Sequence, residues 1–225
     1  MGVRQDGRAR MEAQIVEVGR RHLSTDGPAG LSLRAIARDL GVVSSAVYRY
    51  VSSRDDLLTL LLIDAYSDLA ARVDEASAGL WREWILRMAH AARDWAVSEP
   101  ARWALLYGTP VPGYRAPAER TTGPGTRVVG ALFSAVAAGV AAGEIDGGGV
   151  VPEPLSVDFD GVRAEFGVSI GDGAMAKTVT LWAGLVGAIS LEVFGQYGAD
   201  TFTDPAQLFD LHIRGLIDLL ADTPN

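Results

Sequence analysis

The chain has 225 residues, 48% of them apolar, a formal net charge of −8 and no cysteine. That much apolar material supports a core and argues against disorder over most of the length. The missing cysteines exclude disulfides, thiol catalysis and cysteine-based zinc sites, and they fit a reducing compartment.

The first residues alternate charge (Arg4, Asp6, Arg8, Arg10, Glu12) with no apolar run behind them, so no signal peptide is expected. The longest uncharged stretch, Val128 to Gly143, has 16 residues. A membrane span needs about 18, so the reading is a soluble, cytoplasmic protein with no membrane partner. Charge is uneven. Residues 1–60 carry 9 Arg against 7 acidic residues, and residues 61–225 carry 11 cations against 21. A mildly basic head on an acidic body is compatible with local phosphate contact, because salt screens charges beyond about 10 Å.

Met11, Ile15, Gly19 and Leu23 recur at helical spacing and predict a first helix over 8–24. Asp26-Gly27-Pro28 stops it, since glycine suits the left-handed position after a helix and proline cannot continue one. Ser32 can cap a second helix over 33–40 that buries Leu33, Ile36, Ala37 and Leu40. Gly41 turns the chain, and a third helix over 44–51 follows. Ser53-Arg54-Asp55-Asp56 has the hydroxyl and carboxylate of a capping box and opens a fourth, long helix reaching about Glu75.

Beyond it, helical patterns cover 80–97, 100–108, 124–142, 175–196 and 204–221, and 157–168 reads as a strand pair or a short helix, the helix being preferred. Thr109–Pro124 and Gly143–Asp160 read as loops. All 5 tryptophans lie beyond residue 80. The predicted fold class is all-α: a three-helix helix-turn-helix head, residues 1–52, joined by the 53–75 helix to a larger helical body, 53–225.

The third helix poses a question, because it carries few large apolar groups. Val47 and Val51, four apart, can anchor it. Ser44, Ser45 and Ala46 are short, and Tyr48, Arg49 and Tyr50 end in polar tips. In a helix-turn-helix the second helix of the pair enters the major groove. Short side chains permit close approach there, and hydroxyls and guanidinium groups bond bases or phosphates. Tyr48 can also be read as a core ring, and Arg34 and Arg38 as solvated charges. The single Asn is Asn225, so bidentate asparagine–adenine reading is not available to the head.

The stretch "LSLRAIARDLGVVSSAVYRYVSSRDDLL" resembles the DNA-binding segment of TetR-type transcriptional repressors, a likeness that covers about residues 10–60. The resemblance implies phosphate contacts by Tyr48 and Tyr50, with Arg54 where the family usually has Lys. It places Ser44, Ser45, Ala46 and Arg49 in or beside the groove, with Ser32 and Arg34 flanking. Val43 departs from the pattern, standing where Ser or Thr usually caps the recognition helix. Either Ser44 takes that role or the helix start is looser.

A single head reads few base pairs, so a homodimer on a palindromic double-stranded DNA operator is expected. In the family the last two helices form a four-helix dimer interface. Here Leu181, Gly184, Leu185, Ile189, Leu208, Leu211 and Leu216 are the candidates, with internal core as the alternative. Trp182–Gly187 is similar to a Trp-x-x-x-His-Gly pattern of some TetR-like regulators, with Val186 replacing the His.

Trp84, Met88, Trp95, Trp103, Tyr107, Phe133, Phe166 and Trp182 are candidates to line a cavity for a small apolar or aromatic effector. Plain core packing is the alternative for each. His90 is read as a surface histidine, and His22 and His212 as isolated. Neither a cofactor nor a metal site is expected. Two rival functions differ in class: a helical protein–protein adaptor, and an enzyme using a carboxylate pair. HExxH, GxSxG and phosphate-loop patterns are all missing. The preferred reading is a ligand-responsive, DNA-binding repressor.

Overall fold

The structure, a computed structural model, describes residues 3–77 and 79–221, with side chains from residue 7 onward. Among the described residues there are ten helices and no strand. Asn225 and the side chains of Arg4 and Asp6 lie outside them. The chain forms two compact units, one of residues up to 68 together with 99–125, the other of 69–98 together with 126 onward.

The first unit is built from α1 (Val3–Gly30), α2 (Leu33–Asp39), α3 (Ser44–Val47), the first part of α4 (Arg54–Glu75), α6 (Pro100–Tyr107) and the start of α7 (Ala118–Ala141). Helix α1 is longer than the predicted 8–24 but breaks where expected, at Gly27 before Pro28. The anticipated face of α1 is the packed one, with Ile15 and Leu23 in a core shared with Leu33, Ile36, Val47, Val51, Leu57 and Leu61. The loop after Tyr107 adds Val111 and Tyr114 to that core.

The predicted break between 109 and 124 is too long. Helix α7 starts at Ala118 and runs through Pro124. Proline removes one intrahelical hydrogen bond. The turn before it is held independently: Thr121 Oγ1 donates to Pro117 O at 3.0 Å, and Arg120 pairs with Asp56 at 2.8 Å. Helix α3 is shorter than the predicted 44–51, because Tyr48 to Tyr50 continue as turns.

The second unit contains the end of α4, α5 (Trp81–Ser98), most of α7, α8 (Leu155–Phe166), α9 (Asp172–Val193) and α10 (Pro205–Ala221). Helix α5 buries Trp81, Ile85, Met88, Ala92 and Trp95 along one face, with packing against α9 and α10. Lys177, near the start of α9, donates to the carbonyl of Leu220, near the end of α10, so the pair runs antiparallel. Two polar ties join α5 to these helices. Arg93 Nε donates to Glu192 Oε2 at 2.8 Å, and His90 Nε2 lies 3.0 Å from Asp210 Oδ1. His90 is therefore neither isolated nor fully solvated, and its ring also meets Phe209 edge-on. His22 likewise pairs with Asp39 at 2.7 Å. Their partners are distant in sequence, so local spacing gave no hint of them.

Helices α7 and α9 each contain an 18-residue window long and apolar enough to cross a membrane by length and composition. A third of each window is buried inside the protein.

Candidate nucleic-acid interface

The helix-turn-helix is positioned by caps that are legible in the sequence. Ser32, in extended conformation, accepts from the Ala35 N–H at 3.4 Å and opens α2. Gly41, with φ of 68°, ends it: the Gly41 N–H donates to Arg38 O and the Val42 N–H to Ala37 O. This paired bonding satisfies two carbonyls at the helix end and needs a left-handed residue, for which glycine has no steric penalty. Helix α3 then starts with Ser44 at its first position. Val43 is its N-cap and, having no hydroxyl, makes no side-chain cap bond. Of the two alternatives left by the sequence, the looser start is the one present.

Val47 and Val51 are fully buried in the head. That anchors one side of α3 and turns the other outward. Ser45, Tyr48 and Arg49 are exposed, Tyr48 to 47%, while Ser44, Ala46 and Tyr50 are half-buried. Tyr48 is thus not a core ring. Tyr50 packs partly on the head core, with the Arg8 guanidinium 5.7 Å from its ring centroid. On α2, Arg34 and Arg38 are both exposed. Arg54 is half-buried, and its Nη2 donates to Pro28 O at 2.8 Å, tying the start of α4 to the last turn of α1, past the break at Gly27. The start of α4 is capped as the sequence suggested from one side only. Ser53 Oγ accepts from the Asp56 N–H at 3.1 Å, while the Asp56 carboxylate returns to the Ser52 N–H at 3.0 Å rather than to Ser53.

Comparison with known proteins points the same way. Residues 15–61 match the family described as "Bacterial regulatory proteins, tetR family", and residues 85–216 match "Tetracyclin repressor-like, C-terminal domain". The chain is 60% identical to the HTH-type transcriptional regulator Rv1816 of Mycobacterium tuberculosis, over 99% of this chain and 97% of that protein. The chain belongs to the TetR family of transcriptional regulators. The crystal structure of the regulatory protein SCO4313 is similar at 31% identity and a TM-score of 0.78, covering 96% of this chain and all of that one. FadR from Bacillus subtilis, solved with stearoyl-CoA, shares the fold at 12% identity and a TM-score of 0.63, covering 95% of this chain and 99% of that one.

This TetR-family protein is a DNA-binding transcriptional regulator. The comparisons support neither the adaptor nor the enzyme reading.

In this regulator's second unit, the anticipated ligand residues are dispersed. Met88 and Trp182 line a narrow apolar cleft with Ile85, Val128, Leu132 and Leu185, with room for about one water (≈ 10 Å³). Phe133 and Phe166 stack with centroids 5.0 Å apart. Trp95 is buried on α5, and Trp84 is half-buried with its Nε1 hydrogen shielded and lacking a hydrogen-bond partner. Trp103 and Tyr107 belong to the first unit, with centroids 4.4 Å apart. Tyr66 meets Tyr107 edge-on there, and burial, with a smaller push from Tyr66, raises the Tyr107 hydroxyl pKa well above its ordinary value.

The anticipated dimer residues divide by face. Leu181, Leu185 and Ile189 are buried within the protomer, and Leu208 is half-buried. Gly184, Leu211 and Leu216 line an open apolar groove of about 500 Å³ along α9 and α10, together with Gly187, Leu191 and Leu219. Leu191 and Leu219 were missed by the sequence reading. Their exposure is visible only once the other apolar stripe of each helix is known to face inward.

Proposed function

We propose that this chain is a homodimeric, effector-responsive repressor acting in the cytoplasm, whose paired heads bind a two-fold symmetric operator. The observation that carries the reading is the division of α3 and the turn that follows it. Val47 and Val51 are buried, whereas Ser45, Tyr48 and Arg49 are left exposed beside Arg34 and Arg38 of α2. A short helix that turns hydroxyl and guanidinium groups outward gains little for the fold and suits a groove. Residues 1–52 carry this role. Tyr48 and Tyr50 meet phosphates, Ser44, Ser45, Ala46 and Arg49 face base edges, and Ser32 and Arg34 flank them. Arg54 reaches phosphate with the N–H groups left over from its bond to Pro28.

The dimer forms through the open face of α9 and α10. Leu211 is 67% exposed and Leu219 56%, and glycines 187 and 215, with open space where a side chain would begin, let a second backbone approach. An apolar face of this kind is more economically covered by its own copy than by lipid, because Lys177, Asp210, Arg214 and Asp218 stand on the same two helices. On DNA the two recognition helices then lie about 34–36 Å apart.

The effector is small and apolar, with at most one or two acceptor groups. Apolar lining around Met88 and Trp182 supports this, as does the shielded, unpartnered Trp84 Nε1, which a ligand oxygen would satisfy. The FadR complex with stearoyl-CoA indicates that the fold can take a ligand with a long apolar chain. The effector acts by binding one arrangement of the dimer better than the other.

Selection of bound fragments from random duplex DNA tests the reading. Enrichment of an inverted repeat, with affinity falling steeply with salt, is expected. Failure to enrich any duplex, or an affinity indifferent to salt, would return the protein to the adaptor reading.

A further inference from the structure

Among the described large apolar side chains of the first unit, Val43 is the most exposed, at 71%. It precedes α3, and its carbonyl is engaged by the Ala46 N–H at 2.9 Å, so the peptide is fixed while the isopropyl group stays in solvent. Exposed Ser45, Tyr48 and Arg49 follow on the surface assigned to DNA. From Leu31 to Arg54 there is no Asn, Gln, His or Lys. Hydrogen-bond reading by this segment is therefore left to arginines, hydroxyls and Asp39, whose carboxylate is already engaged by His22, and none of the side chains that read adenine bidentately is present.

A valine can neither cap the helix nor bond a base edge. The apolar group that a standard base pair offers in the major groove is the 5-methyl of thymine. A branched apolar side chain held rigidly ahead of the recognition helix matches that group in size and polarity. We propose that Val43 is a specificity-determining residue that packs on the 5-methyl group of one thymine in each half-site. It thereby fixes the identity and orientation of an A·T pair that no hydrogen-bonding side chain of this segment reads in full. The inference rests on the DNA-binding reading above.

The test uses the full chain and the operator selected from random DNA. Each thymine is replaced in turn by deoxyuridine, which removes the methyl group and nothing else. Loss of one buried methyl contact is expected to weaken binding about fourfold at one position per half-site, and about fifteenfold when both half-sites are substituted. Val43→Ala and Val43→Ser should bind the thymine and uracil duplexes within about twofold of each other. Their melting curves should match the parent's, since the side chain packs on little. A scan in which no uracil substitution weakens binding overturns the proposal and leaves DNA binding intact. So does a methyl sensitivity that persists undiminished in both variants. Failure to enrich any duplex overturns the DNA-binding reading and this proposal together.

Discussion

Arg20 of α1 and Arg102 of α6 hold the same carboxylate. Arg102, 3% exposed, donates to Asp64 Oδ2 at 3.0 Å and to Asp68 Oδ2 at 2.6 Å, and Arg20 Nε donates to Asp64 Oδ2 at 2.8 Å. Three helices of the first unit are thus tied through one α4 side chain. A buried cation is tolerable only with such partners, and removing one member of a buried pair typically costs about 3–5 kcal/mol. Arg102→Met should cost less, about 2 kcal/mol, because Asp64 keeps Arg20 and Asp68 is partly exposed. Arg20→Ala added to Arg102→Met should cost more than the sum of the two singles, since Asp64 then loses both partners. Urea unfolding of the parent and the three variants measures this, and strictly additive costs would show that the two arginines do not share one site.

Trp81 and Trp84 stand three residues apart on α5 with opposite polar fates. Trp81 Nε1 donates to Glu144 Oε2 at 2.8 Å, whereas Trp84 Nε1 is shielded and unpartnered. A hydrogen bond to a charged group contributes roughly 1.5–3 kcal/mol, and leaving a buried donor unmade carries a cost. Trp81→Phe is therefore expected to destabilise the ligand-free protein by about 2 kcal/mol more than Trp84→Phe. Equal losses in chemical denaturation would remove Trp84 Nε1 as a polar anchor held open for an effector.

Replacing Leu211 and Leu219 with Glu places charge in the open groove without disturbing the protomer core, since both side chains are largely exposed. The double variant should sediment as a folded monomer with unchanged helical circular dichroism, and its operator affinity should fall because one head binds where two did. A dimer that survives both substitutions would move the interface elsewhere.

Burial acts to raise the pKa of Asp56, but the Arg120 guanidinium and the Ser52 N–H and hydroxyl outweigh it and hold the carboxyl below the ordinary range. A depressed folded pKa stabilises above the unfolded value of about 4 and is lost as pH falls through the folded one. The stability gap between the parent and Asp56→Asn should therefore be constant from pH 7 to about pH 5 and shrink below about pH 4. Thermal melts across that range read it directly. A gap that widens on acidification would contradict the Arg120 pairing.

Tyr48→Phe removes one exposed hydroxyl. If it meets phosphate, affinity for all duplex sequences should fall by a similar factor, about three- to tenfold, because phosphate contacts position without specifying. A loss confined to one operator variant would place the hydroxyl on a base edge.

Much of the head was readable in one dimension because its determinants are local. Ser32, Gly41 and Ser53 act on neighbours within five residues, and Val47 and Val51 share a side because the Val51 N–H bonds back to Val47 O just past α3. Longer-range facts left no such trace. Pro124 reads as the end of a loop and the start of a helix, yet the helix begins earlier, at Ala118, and passes through it on support from Thr121 and from the Asp56–Arg120 pair. His90 and His22 looked solitary until Asp210 and Asp39 arrived from other helices.

Helix α9 shows the dividing line most plainly. Its sequence is apolar nearly all round, so composition fixes that it is a helix and that it will be covered. Which stripe the protomer covers depends on where α5 and α10 lie. With Leu181, Leu185 and Ile189 taken into the core, Gly187 and Leu191 are left lining the open groove. The sequence by itself determined the helices, the caps and the motif, because each follows from the chemistry of adjacent residues. Only the tertiary structure decided which apolar faces remain open and which charges are buried, because burial belongs to the packing of distant segments.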